Sequence, residues 1–214
     1  MTGSAGQVDP LQNNSSAGGT VQVKVIRGAD IGPYVADLAR LRISVFRAFP
    51  YLYDGDLDYE RGYISRYSAS LRSLFVLALD GERVVGVATG VPLADEAESF
   101  RRPFEAAGQT IDDIFYFGES VLLPEYRGRG LGVRFFAERE CHAKALGLRI
   151  CAFCAVERGK DHPRRPVDYV PLDGFWHKRG YRQAPQLRTQ LSWKDMGEAS
   201  ESLKSLSFWL RELP

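Results

Sequence analysis

The sequence has no stretch near 18 consecutive apolar residues, so no membrane-spanning helix is expected. Its first residues lack a basic segment followed by an apolar one, which argues against a secretory leader and for a cytoplasmic protein. Only three cysteines are present, an odd number that makes no disulfide framework. Charge of one sign is missing as well. The 28 Lys+Arg against 27 Asp+Glu leave a net charge of +1 and no electrostatic footprint for nucleic-acid binding. Internal repeats and blocks of like charge are absent.

What is present fits one domain of mixed structure. The chain has 214 residues, 44% hydrophobic and 26% charged, a globular composition. Residues 1–20 are mostly Gly, Ser, Asn and Gln with a single charge, and are expected to be a disordered tail before a single domain over 21–214. Val21, Val23 and Val25 alternate with polar neighbours and predict a strand over 21–28. Pro33 suits an early helix position. The 34–49 helix carries Leu38, Leu41, Val45 and Phe49, and Pro50 ends it.

After a loop at 51–58, Tyr59, Tyr63 and Tyr67 mark a second helix to about residue 70. Two β-rich runs around Asp80-Gly81 predict a hairpin over 74–91. Beyond it come a short helical insertion at 94–108, a strand at 114–123, a helix from 130 to 146 and a doubly buried strand at 148–156. A long Pro-rich loop fills 157–172. A short helix at 173–181, a strand at 187–193 and a closing helix at 201–213 complete the order. That last helix is expected from Leu203, Leu206, Leu210 and Leu213, which form a narrow edge suited to core packing or to a second copy of the chain. The pattern is mixed α/β with hairpins, not a regular βαβ alternation.

The segment with the most chemistry is strand–Arg127-Gly128-Arg129-Gly130-Leu131-Gly132–helix. Glycines at a helix N-terminus let backbone N–H groups approach an anion, and the helix dipole favours negative charge there. Arg127 and Arg129 add positive charge suited to phosphate oxygens. A P-loop is excluded because the Lys-Ser/Thr pair is missing. A dinucleotide fingerprint fits less well, because Val133 stands where its third glycine belongs. The remaining pattern, (Arg/Gln)-x-x-Gly-x-(Gly/Ala), is met by Arg127, Gly130 and Gly132. Arg83, Gly86 and Ala88 also meet it, but inside a continuous strand run with no helix following.

With this turn the chain resembles the GNAT superfamily of acetyl-CoA-dependent acyltransferases, whose coenzyme A signature is similar to residues 121–132. The resemblance covers about residues 21–193 in element order and reaches motif level at 119–146 and 173–181. It implies a mixed, mostly antiparallel, twisted sheet opened by a V-shaped splay, with helices on both faces. It further implies that backbone groups around Val121, Leu122 and Leu123 hold pantetheine, and that Gly128, Arg129, Gly130, Leu131 and Gly132 with Arg127 hold the pyrophosphate. Acetyl-CoA is the implied cosubstrate, and no metal is called for. Glu119 falls where many members place an acidic general base, and the Leu122 amide falls where the oxyanion donor lies.

In the family's Tyr-x-x-x-Gly-Phe-like segment, Trp176 replaces the tyrosine that protonates coenzyme A. An indole N–H is no general acid, so that role passes to Tyr169, His177, Tyr181 or to no residue. Tyr51, Tyr53 and Asp54, with Asp56 and Asp58, lie where the family builds its acceptor pocket and suit a cationic amine. Arg158, Lys160, Arg164 and Arg165 argue instead for an acidic partner, so the acceptor is not identified. Cys151-Ala-Phe-Cys154 has no second Cys pair or His cluster to complete a zinc site, and Cys141, Cys151 and Cys154 read as buried apolar residues.

The function implied is acetyl transfer to a primary amine of a small molecule or peptide in a ternary complex. The alternatives are a longer acyl-CoA, a hydroxyl acceptor, a non-catalytic coenzyme A sensor or scaffold, and a dinucleotide-binding module.

Overall fold

Eight strands form one sheet in a computed structural model that describes residues 20–214, so the tail expected at 1–20 lies outside the described residues except for Thr20. The strands are β1 (Gln22–Arg27), β2 (Leu74–Asp80), β3 (Arg83–Pro92), β4 (Ile114–Tyr116), β5 (Ser120–Leu122), β6 (Ile150–Val156), β7 (Arg182–Trp193) and β8 (Ser202–Glu212). Their order is β1-β2-β3-β4-β6-β8-β7, with β5 also paired to β3. The β4–β6 pair alone is parallel.

The helices are α1 (Val35–Phe46), α2 (Leu57–Ala69), α3 (Glu98–Ala106), α4 (Leu131–Ala145) and α5 (Asp173–His177). On one sheet face α4 buries Phe135, Phe136 and Ala143 against Val76, Val85 and Phe115. On the other, α1 and α2 bury Leu38, Leu41 and Ile64 against Phe75, Leu77, Val87 and Val121. Phe104 of α3 packs beside them on Phe208, with ring centroids 4.8 Å apart. The expected mixed sheet with helices on both faces is therefore the observed architecture.

Local chemistry explains most boundaries. Asp56 caps α2 by accepting from the N–H groups of Asp58 at 3.0 Å and Tyr59 at 2.9 Å. Gly81 turns the β2–β3 hairpin at φ +59. Val21, just before β1, and Val23 pack on the α4 face, but Val25 is exposed and Ile26 is the buried residue.

Two expectations need correction. Residues 201–213 are a strand, β8, and not a helix. It lies between β6 and β7, burying Leu206, Phe208 and Trp209 while Leu203 is exposed. A strand buried on both faces is a nearly continuous apolar run, and Leu-Ser-Phe-Trp-Leu satisfies helical spacing by coincidence. Residues 114–123 are also not one strand. They break into β4 and β5 around Phe117-Gly118-Glu119. Val91 pairs with Tyr116 and Ala88 with Ser120, so three steps on β3 face four on its neighbour. That extra residue is a β-bulge, and it bends the strand.

Candidate active site

The bulge splits the sheet. β4 pairs with β6 from Ile114↔Ile150 to Tyr116↔Ala152, and the last bond runs from Phe117 N–H to the Ala152 carbonyl at 2.7 Å. Beyond it β5 follows β3, while Phe153–Val156 of β6 continue away from it with β8. A V-shaped cleft opens between β5 and β6. Thr89 and Leu123 N–H groups bond across to Glu119 and Val85 carbonyls on the β3 side, at 3.0 Å each. Alternation then turns Ser120 and Leu122 backbone groups toward the cleft, and Val121 and Leu123 away from it. Of the three residues expected to meet pantetheine, Leu122 thus presents its amide to the opening.

The cleft leads to the N-terminus of α4. Gly128 and Gly130 have φ +75 and +80, and a Cβ added at either would meet open space. The left-handed backbone, not crowding, requires glycine at these two positions. No side chain caps α4, and its first turn has no acidic residue. Its free N–H groups therefore face solvent beside exposed Arg127 and Arg129. Arg127 Nε reaches back to the Leu122 carbonyl at 3.3 Å, and Arg129 bonds the Glu125 carbonyl at 2.9 Å. Leu131 is buried and fixes the start of the helix, and Gly132 lies against Phe175 of α5.

Glu119 lies in the bulge, but not as a free acid. It is buried, and its Oε2 accepts from Arg42 Nη1 at 2.7 Å and from the Tyr63 hydroxyl at 3.1 Å. Arg42 also binds the fully buried Glu60. Burial by itself works against the Arg42 charge, but Glu119, then Tyr63 and Glu60, outweigh it and raise its pKa. Oε1 of Glu119 and Oε1 of Glu60 have no partner. On the opposite face Arg139 of α4 fixes the bulge. It donates to the carbonyls of Thr89 at 3.2 Å and Glu119 at 3.1 Å and to the Ser120 hydroxyl at 2.8 Å. Burial lowers its pKa to about 10.

The loop before α2 is largely committed to structure. Asp54 pairs with Lys194 at 2.8 Å, which holds its pKa below the ordinary value. Asp56 is the α2 cap, and Asp58 pairs with Arg61. Tyr51 packs at a tilt between Phe46 and Trp193, and burial pushes its pKa up. Tyr53 bridges to Asp195, and burial, with Glu60 beside it, raises its pKa too.

Arg158 joins this loop to 157–172, donating to the Pro50 carbonyl at 2.8 Å and pairing with Asp195 at 2.9 Å. That arginine is therefore a clamp. Trp176 packs on Trp209 and Phe153, and His177 is exposed beside Trp209. Tyr181 is fully buried and donates to Glu140. Tyr169 packs edge-on against Phe49 at 4.7 Å. Cys151 is buried, whereas Cys141 is exposed and Cys154 half-buried, so only one of the three matches the expected burial.

Four residues around the bulge carry no motif in the sequence: Arg42, Tyr67 and Glu96 on one face and Arg139 on the other. The two arginines interrupt the apolar stripes of α1 and α4, and that interruption was the readable signal. Glu96, in an insertion with no motif, carried none.

A model of the acetyltransferase (GNAT) family matches residues 38–167, more than half of the chain. The chain belongs to the GNAT acetyltransferase family. This GNAT protein is an acyltransferase in its fold and family. It superimposes on a ribosomal-protein-alanine N-acetyltransferase from Brucella melitensis at TM-score 0.57 and 14% identity, covering 89% of this chain and 99% of that one. A Salmonella typhimurium protein solved with its cofactor acetyl-CoA gives TM-score 0.57 at 12% identity, covering 91% and 95%. An N-acetyltransferase from Staphylococcus aureus Mu50 gives 0.56 at 12%, covering 90% and 99%. No curated protein matches the GNAT chain by sequence. Among the described residues no helix is long and apolar enough to cross a membrane.

Proposed function

We propose that the protein transfers an acetyl group from acetyl-CoA to a primary amine by direct attack in a ternary complex. One observation carries this reading: the open edge of β5 runs straight into the uncapped, glycine-rich start of α4. An extended pantetheine arm would pair with the Leu122 edge as an added strand. A pyrophosphate would lie on the amides of Gly128 to Gly132 between Arg127 and Arg129. The acetyl carbonyl would then fall near the bulge, with the Leu122 N–H as donor to the developing oxyanion.

The amine side is supported by charge. Glu60 and Glu119 share Arg42 as their one bonded arginine, and Glu96 lies on the Tyr67 hydroxyl, all among Tyr51, Tyr53, Tyr63 and Tyr67. That surplus of carboxylate favours a cationic acceptor. Because Asp54 is held by Lys194, we assign the pocket wall to Tyr51 and Tyr53. Glu119, with Oε2 held by Arg42, offers Oε1 to the acceptor ammonium. The thiolate leaves unaided or takes a proton from the amine, since Trp176 supplies none.

The test joins acetyl-CoA calorimetry with thiol release against polyamines, aminoglycosides, amino acids and peptides. Binding with release for one amine class is expected. Arg127→Ala and Gly130→Asp should weaken acetyl-CoA binding at least about tenfold, the size of one lost charge-assisted contact. Glu119→Gln should impair turnover while leaving that affinity intact. Equal loss of affinity in Glu119→Gln would sink this division of labour.

A further inference from the structure

Glu96 lies just after the short 3-10 turn that follows β3, facing the tyrosines of α2. The Tyr67 hydroxyl donates to its Oε1, and the Ala97 N–H donates to its Oε2 at 2.8 Å. Tyr67 in turn reaches the apex of the cleft. A Cβ added at Gly118, in the bulge, would lie 2.3 Å from the Tyr67 hydroxyl and 2.7 Å from Thr89 Oγ1. The hydroxyl thus occupies the space that a side chain on the bulge would take. Its ring stands 5.1 Å from Tyr63, whose hydroxyl binds Glu119. Two carboxylates therefore flank the apex. Glu119 is neutralised by Arg42, and Glu96 has no ion-pair partner within 4 Å among the described residues.

We propose that Glu96, acting through the Tyr67 hydroxyl, is the proton acceptor of the transferase reaction, and that Glu119 is not. This rests on the amine-acetylation reading above. The acceptor ammonium gives one proton to the Tyr67 oxygen as the Tyr67 proton passes to Glu96 Oε1. A neutral amine and a neutral Glu96 carboxylic acid result. The nitrogen lone pair attacks the thioester carbonyl carbon, the C–S bond breaks with its electron pair on sulfur, and the second N–H proton goes to the thiolate. Glu96 is half-buried and returns its proton to solvent.

Burial raises the Glu96 carboxyl above its ordinary value; Tyr67 and the Ala97 N–H oppose this, Glu119 adds to it and Arg66 opposes it. The groups facing it are Tyr63, Arg66 and Tyr67 from α2, Tyr116 and Glu119 from the β4–β5 run, and Cys154 from β6. A base of this kind gives a rate that rises with pH as Glu96 loses its proton.

The experiment measures kcat and KM across about pH 5 to 9 for the parent, Glu96→Gln, Glu96→Asp and Tyr67→Phe, with the amine the parent accepts. Acetyl-CoA affinity by calorimetry reports folding. Glu96→Gln and Tyr67→Phe should lose about 10²-fold in kcat, with KM and acetyl-CoA affinity within about twofold. The acidic limb should vanish in Glu96→Gln and return in part with Glu96→Asp. Retention of the acidic limb and of kcat within about threefold in Glu96→Gln overturns the relay. Loss of that limb in Glu119→Gln alone does the same. If Glu96→Gln fails to bind acetyl-CoA, Tyr67→Phe decides by itself, a parent-like kcat being fatal. A parent chain that acetylates no amine overturns the proposed function first, and the relay with it.

Discussion

Arg42 and Arg139 hold the two faces of the bulge, and each does so from a helix stripe that is otherwise apolar. A buried arginine on such a stripe persists when its charge is met. Arg42 has Glu60 and Glu119; Arg139 has three carbonyls, a hydroxyl and the face of Phe117 at 4.0 Å. Replacing Arg42 with methionine would leave two buried carboxylates without their cation. Arg42→Met should therefore lower stability by about 3–5 kcal/mol, read from the urea midpoint, and the loss should shrink when Glu60→Gln is added. An unchanged midpoint would remove the ion pairs from this account.

At this scale the sequence was legible where a residue type is obligatory. Gly128 and Gly130 need a left-handed backbone, and both stand at the turn that was picked out. Glu119 takes its partner from α1, 77 positions earlier, and no local pattern reports that.

The elements that matter most are β4, β5 and β8. Hydrophobic periodicity located one strand across 114–123, and the break within it depends on how Thr89 of β3 meets both Gly118 and Glu119. A bulge is a property of the pair of strands, so one strand's sequence does not declare it. β8 shows the opposite error. Leucines at 203, 206, 210 and 213 mimic a helix edge, while Ser202, Ser205 and Ser207 and the Phe208-Trp209 pair suit a strand. Because β8 bonds to β6 and β7 at once, proline in its middle should break the sheet. Ser207→Pro, at a position paired with both Ala155 and Arg188, should yield a chain without cooperative thermal unfolding. A cooperative transition near that of the parent would contradict the central placement of β8.

In the whole molecule, β1, β2, β3 and β5 form one wing of the sheet and β6, β7 and β8 the other, with β4 joining them below the bulge. A ligand that pairs with the open β5 edge and sits on α4 adds contacts absent from the unfolded chain. Acetyl-CoA at 100 times its dissociation constant should therefore stabilise the fold by about 2.7 kcal/mol, seen as a rise in Tm of several degrees. Arg127→Ala should reduce that rise at equal concentration. No rise in the parent would count against the turn as the coenzyme A site.

By itself the sequence determined the fold class, most of the strands and helices and the glycine turn before α4, because alternation, helical spacing and glycine at a left-handed backbone are local requirements. Only the tertiary structure decided that the sheet splits at Gly118, that Glu119 is neutralised by Arg42, and that Tyr67 and Glu96 reach the apex. Each of these joins residues far apart in the chain, and such meetings follow from packing, which no local pattern encodes.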